Sequence, residues 1–194
     1  MITREEALAY LDLKLGNRNI IKHLIASEAM MCALYDFFVS QGKKDLGGTR
    51  EEWQMTGLLH DGDYVEGVSV EKQGVTVSEW LRQDGYELPD NVAHAMAAHN
   101  SDTGVKAESL MDWSIYCGDS LTGLVAATAL VLPDKKLANV TPEMVLRRFK
   151  EKGFARGSRR EGIALCEGKM GLKLEEFVEI CLKAMQKVSD QLGL

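Results

Sequence analysis

Residues 115–132 read IYCGDSLTGLVAATALVL, an apolar run closed by Pro133 and interrupted by one charge, Asp119. Extended back to Ala107, the segment predicts a long helix to Leu132, and a helix that is apolar on every side belongs at the centre of a globule. Other helices must surround it. Thr3 with Glu6, Thr49 with Glu52, and Thr76 with Glu79 each carry the Thr-x-x-Glu spacing of a capping box, in which side chain and backbone satisfy each other's free donors. Helices are expected over 4–15, 18–39, 51–60, 77–83, 89–98, 141–152 and 174–192, with Gly16, Gly62 and Pro133 as breaks. The stretches between them lack the alternation of a strand, so the fold class expected is all-α. At 194 residues with no repeat or linker, one domain over 1–194 is expected, its C-terminal helices (about 141–194) packing on the rest.

Hydrophobic residues form 45% of the chain and charged residues 27%, an ordinary globular balance that argues against disorder. No apolar run reaches the roughly 20 residues needed to span a bilayer, and the start, MITREEALAYLD, lacks the basic and apolar regions of a signal peptide. A cytoplasmic location with no membrane partner is the expectation. Cys32, Cys117, Cys166 and Cys181 have no paired spacing and read as reduced thiols. The net charge of -6 argues against general nucleic-acid binding, which selects basic surfaces. One segment departs from that balance: residues 147–160, RRFKEKGFARGSRR, carry seven cations and one acid. Such a patch suits an anion.

The four histidines, His23, His60, His94 and His99, all lie in the first hundred residues. His60 and Asp61 follow the apolar stretch MTGLL, so a polar pair is delivered by a helix that otherwise points inward. His23 lies in NIIKHLIASEAMM and Asp119 in the central apolar helix. Alone, His23 reads as a core histidine with a hydrogen-bond partner and Asp119 as half of a structural ion pair. Together, four costly groups on three core helices are more economically explained by one shared divalent cation.

A spaced histidine, an adjacent His-Asp pair and a later aspartate make the chain resemble the HD-domain metal-dependent phosphohydrolases. The segments TGLLHDGDY, AHN, CGDSLTGLVAATALVLPDKKL and FKEKGFARGSRREGI extend that resemblance to a bacterial HD subfamily of hydrolases over almost the whole chain. It implies an HD-domain helical bundle with His23, His60, Asp61 and Asp119 on a metal. Manganese, iron, magnesium or zinc suits two imidazoles and two carboxylates. The implied activity is metal-dependent phosphoester hydrolysis, with water activated by the cation and the basic segment stabilising charge on the phosphate.

Many HD proteins hold a second metal on two more histidines. His99 is one candidate, but Gln73 stands where the other is expected, so one metal is expected rather than two. His94 and His99, five apart, fall on different faces of a helix, and His94 is expected on the solvent side. His99 also has a bland reading, a local hydrogen bond at a helix end. Asp63 is placed with His60 and Asp61 as a catalytic candidate that orients water, though it also suits a turn. Arg156, outside any helix, is the first candidate for binding substrate phosphate, and Arg159 the second; Lys150 and Lys152 read as solvated. The substrate expected is a nucleotide or another small phosphorylated molecule. The alternative is a sensory or scaffold module that binds metal or nucleotide without turnover.

Overall fold

Ser109 ends the approach to the central helix: its hydroxyl accepts from the Asp112 backbone N–H, and Asp112 returns the bond, a capping box. In the computed structural model, which describes residues 1–194, the helix begins one residue later. Helices α1 (Arg4–Lys14), α2 (Arg18–Ser40), α3 (Arg50–Leu59), α4 (Val75–Gln83), α5 (Asp90–Ala98) and α6 (Leu110–Leu130) form the first part of the fold. Then follow α7 (Pro142–Lys150), α8 (Arg160–Ala164), α9 (Cys166–Met170), α10 (Leu174–Lys187) and α11 (Ser189–Leu192), with short 3-10 turns between some of them. No strand occurs. The all-helical class read from the sequence is the observed one, and no helix is long and apolar enough to cross a membrane.

α6 is buried on most sides, by α2, α5, α7, α8, α9 and α10. α10 packs on both α2 and α6, so the C-terminal helices share the core of the N-terminal ones. A single apolar cluster accordingly runs from Ile2 to Leu192.

The tightest helix pair is α2 with α3, and a glycine sets its spacing. A Cβ on Gly57 would stand 2.7 Å from the Ser27 carbonyl oxygen and 2.9 Å from Glu28 Cα, backbone atoms that cannot swing aside. Nearby, buried Glu28 accepts from Arg4 through both carboxylate oxygens and from Gln54, which ties α1, α2 and α3 together. This close approach brings the end of α3 to the middle of α2.

Two of the three expected capping boxes form, at Thr3 and Thr49. The third does not. α4 starts at Val75 after Gly74, whose φ of 76° is left-handed and whose Cβ would lie 2.2 Å from the Met96 carbonyl oxygen. Thr76 instead donates its hydroxyl to Lys72 O. The expected last helix is divided at Val188 into α10 and α11, and the basic segment ends in two short helices, α8 and α9, not foreseen from the sequence.

Candidate metal centre

His23 comes from the second turn of α2, His60 and Asp61 from the end of α3, and Asp119 from α6. One ligand atom from each lies within 4.8 Å of all the others. His23 Nε2 is 3.3 Å from His60 Nε2, 3.0 Å from Asp119 Oδ1 and 3.8 Å from Asp61 Oδ2. His60 Nε2 is 3.6 Å from Asp119 Oδ1 and 3.9 Å from Asp61 Oδ2. Bonds of about 2.0–2.2 Å to one cation put neighbouring ligands about 3–3.6 Å apart, so the cluster has the dimensions of a first-row divalent ion or magnesium.

The hydrogen-bond network fixes the imidazole tautomers. His60 Nδ1 faces the Gly57 carbonyl at 3.0 Å and His99 Nδ1 faces the Met96 carbonyl; carbonyls only accept, so both nitrogens carry hydrogen. Thr122 donates its hydroxyl to the Asp119 carbonyl at 2.7 Å and thus accepts from His23 Nδ1 at 3.2 Å. All three rings therefore turn Nε2 inward with a free lone pair when neutral. Two lone pairs facing each other at 3.3 Å repel unless a cation or a proton lies between them.

The carboxylates are divided between partners. Asp119 turns Oδ1 to the imidazoles and Oδ2 to Arg159, 3.1 Å away. Asp61 turns Oδ2 to the imidazoles, while its buried Oδ1 lies 3.2 Å from His99 Nε2 without a well-directed hydrogen bond. An orphaned buried carboxylate oxygen is costly and fits a group that prefers cationic company. Burial opposes ionisation of Asp119, but His23 and His60 outweigh it and hold its carboxyl well below the usual range. Burial likewise opposes ionisation of Asp61, and His60 with His99 lowers its pKa. Burial works against the imidazolium forms of His23 and His99, yet Asp119 raises the first and Asp61 the second. The residues thus fit a divalent cation, with buried anions and inward lone pairs as its ligands.

The other candidates fall at different distances from this centre. His99 lies on the far side of Asp61, its ring stacked edge-on to His60 with centroids 4.8 Å apart, outside the four-atom group. Gln73, in place of an expected histidine, gives its Oε1 to the Asn100 amide at 3.0 Å. Asp63 is corrected: it is fully buried and both carboxylate oxygens accept backbone N–H groups, from Gly74 and Val77, at the start of α4. It anchors the start of a helix, and its complete burial keeps it from orienting water at the site. His94 pairs with Asp112 at 3.2 Å, away from the cluster.

The basic segment reaches the site. Arg156 is exposed and lines a cavity of about 300 Å³ together with His23, Asp119 and Ser158. Arg159, ranked second from the sequence, is the arginine that touches a metal-ligand candidate; the same guanidinium donates to the His99 carbonyl at 2.9 Å. Arg160 gathers the carbonyls of Phe149, Phe154, Ala155 and Ser158, holding the loop that presents Arg156. Neither these carbonyl contacts nor the part of Thr122 in orienting His23 has a local sequence signal. No family model, curated protein or solved structure matches the chain.

Proposed function

We propose that this protein is a metal-dependent phosphohydrolase of the HD type, acting on a small phosphoester such as a nucleotide. The observation that carries the reading is the convergence of His23, His60, Asp61 and Asp119 within 4.8 Å beside an opening lined by Arg156. These four residues would hold the divalent cation. When bound, it supplies Lewis acidity and lowers the pKa of water toward neutrality. The Nδ1 donors to Gly57, to Met96 and to Thr122 keep the rings of His60, His99 and His23 turned inward. Arg159 pairs with Asp119 Oδ2 and keeps that carboxylate oriented. Arg156 stands free at the mouth, where its planar fork suits two phosphate oxygens. Water adds to phosphorus, the bond to the ester oxygen breaks, and the leaving alcohol takes a proton from the water.

The test is elemental analysis of the purified protein, followed by a phosphoester panel with the metal found. His60→Gln and Asp61→Asn are expected to lose metal and at least a hundredfold of activity together. Undiminished turnover by a metal-free Asp61→Asn protein refutes the reading. A second reading, a metal- or nucleotide-binding module without turnover, draws support from the engagement of Gln73 with Asn100, which leaves one metal where two would make a fuller catalytic centre. Tight nucleotide binding with no hydrolysis across the metal panel would favour it.

A further inference from the structure

Two cavities meet at the candidate metal centre. The first is the arginine-lined opening described above; the second is a cleft of about 480 Å³ between α2, α6 and α10. They share His23 and Gly123. The floor and wall of the cleft are Ala26, Ala126, Leu130, Met185 and Leu192, all aliphatic, and the Leu130 side chain at its edge is half-exposed. Its volume lies within the range of small-molecule pockets. The larger depression beside Tyr86–Asp90 shares no residue with the metal centre.

α6 holds two interior glycines, and glycine in a helix is less favourable than alanine by about 1 kcal/mol. Gly118 has a packing reason, because a Cβ there would meet Met30 Sδ at 2.2 Å. Gly123 has none: its Cβ would meet only Ser158 Oγ, at 3.8 Å. Gly123 lines both cavities, and its missing side chain leaves the space between them free.

We infer that this cleft seats an apolar leaving group, so that the substrate is a phosphomonoester of an aliphatic alcohol. The inference rests on the phosphohydrolase reading and narrows it. A nucleobase would need partners for its polar edge, and the cleft offers few. Thr122's hydroxyl is already committed to Asp119 and His23, the His23 ring turns its Nε2 to the metal centre, and Asn19 and Lys22 are the other polar side chains. With phosphate beside His23 and Arg156, the passage at Gly123 directs the ester oxygen and its chain into the cleft.

The experiment uses the full, metal-loaded chain and a series from methyl to octyl phosphate, with nucleoside monophosphates and sugar phosphates alongside. kcat/KM is expected to rise about threefold to fourfold per methylene until the cleft is full. Ala126→Phe, which fills the cleft, and Leu130→Asp, at a half-exposed position, are each expected to flatten that series while metal content stays unchanged. Binding is read separately from the ¹³C-methyl resonance of Met185, which octyl phosphate should shift in the parent and not in Ala126→Phe. Hydrolysis with no chain-length dependence, or a preference for nucleotides, overturns the inference and leaves the hydrolase reading standing. A Met185 shift with no ester hydrolysed keeps the cleft and removes the hydrolase reading. No shift and no chain-length dependence removes the cleft.

Discussion

Stripping the metal with a chelator and returning it at a series of pH values should reveal proton release. In the metal-free cluster, the carboxylates of Asp61 and Asp119 have depressed pKa values, and the imidazoles of His99 and His23 have raised ones. Two imidazolium charges then face the two carboxylates, beside the permanent charge of Arg159 on Asp119. A divalent cation provides the same two charges, so binding displaces the His23 proton directly and expels the His99 proton by repulsion across Asp61. Two protons released correspond to about a hundredfold gain in apparent affinity per pH unit, or about 2.7 kcal/mol, in the range where both are protonated. For the metal-free protein, the raised histidines stabilise the fold fully below their ordinary pKa of 6.5, and that contribution is lost as pH rises through their folded values. The depressed aspartates stabilise above their ordinary 3.8 and lose their contribution as pH falls through their folded values. The chelated protein is therefore most stable between those limits, whereas metal at a thousandfold over Kd adds about 4 kcal/mol, roughly 8–16 °C in Tm for a chain of this size. Titration calorimetry at pH 6 in buffers of different ionisation enthalpy counts the protons: about two for the parent and about one for His99→Gln. Zero protons released on metal binding at pH 6 would refute the charge balance drawn here.

Three substitutions probe the scaffold. Gly57→Ala pushes a methyl group against the Ser27 carbonyl and should lower unfolding free energy by about 1–3 kcal/mol in a denaturant titration, despite alanine's better helix propensity. Asp63→Ala leaves the buried N–H groups of Gly74 and Val77 without their acceptors, so stability should drop by about 1–3 kcal/mol while metal content holds; loss of metal with unchanged stability would contradict the structural role. Arg160→Gln removes the charged donor from the carbonyls of Phe149, Ala155 and Ser158, and limited proteolysis should then cut faster within 151–158 than in the parent.

What could be read from the sequence is what local pattern encodes. The burial of most of residues 115–129 follows from their lack of polarity, and the starts at Thr3 and Thr49 follow from pairs three residues apart. The four metal-ligand candidates stood out because a polar group in an apolar helix is costly wherever it lies. Thr76 and Glu79 had the capping pattern too, but Asp63, more than ten residues earlier in the chain, satisfied the start of α4 first. That competition depends on tertiary approach, which no window of sequence contains. The pairing of Arg159 with Asp119, forty residues apart, is of the same kind, and so is the apolar cleft, whose walls come from several helices far apart in the chain.

The contact of Gly57 with the backbone of Ser27 and Glu28 makes the site a caliper with one fixed jaw. His23 and His60 ride on two helices whose backbones already touch, so no side-chain rearrangement can bring them closer. Asp119 stands on the third helix, fastened through Arg159 to a loop between short helices. An ion held there would be gauged between α2 and α3, which bring His23, His60 and Asp61, with Asp119 alone reaching it from a third helix.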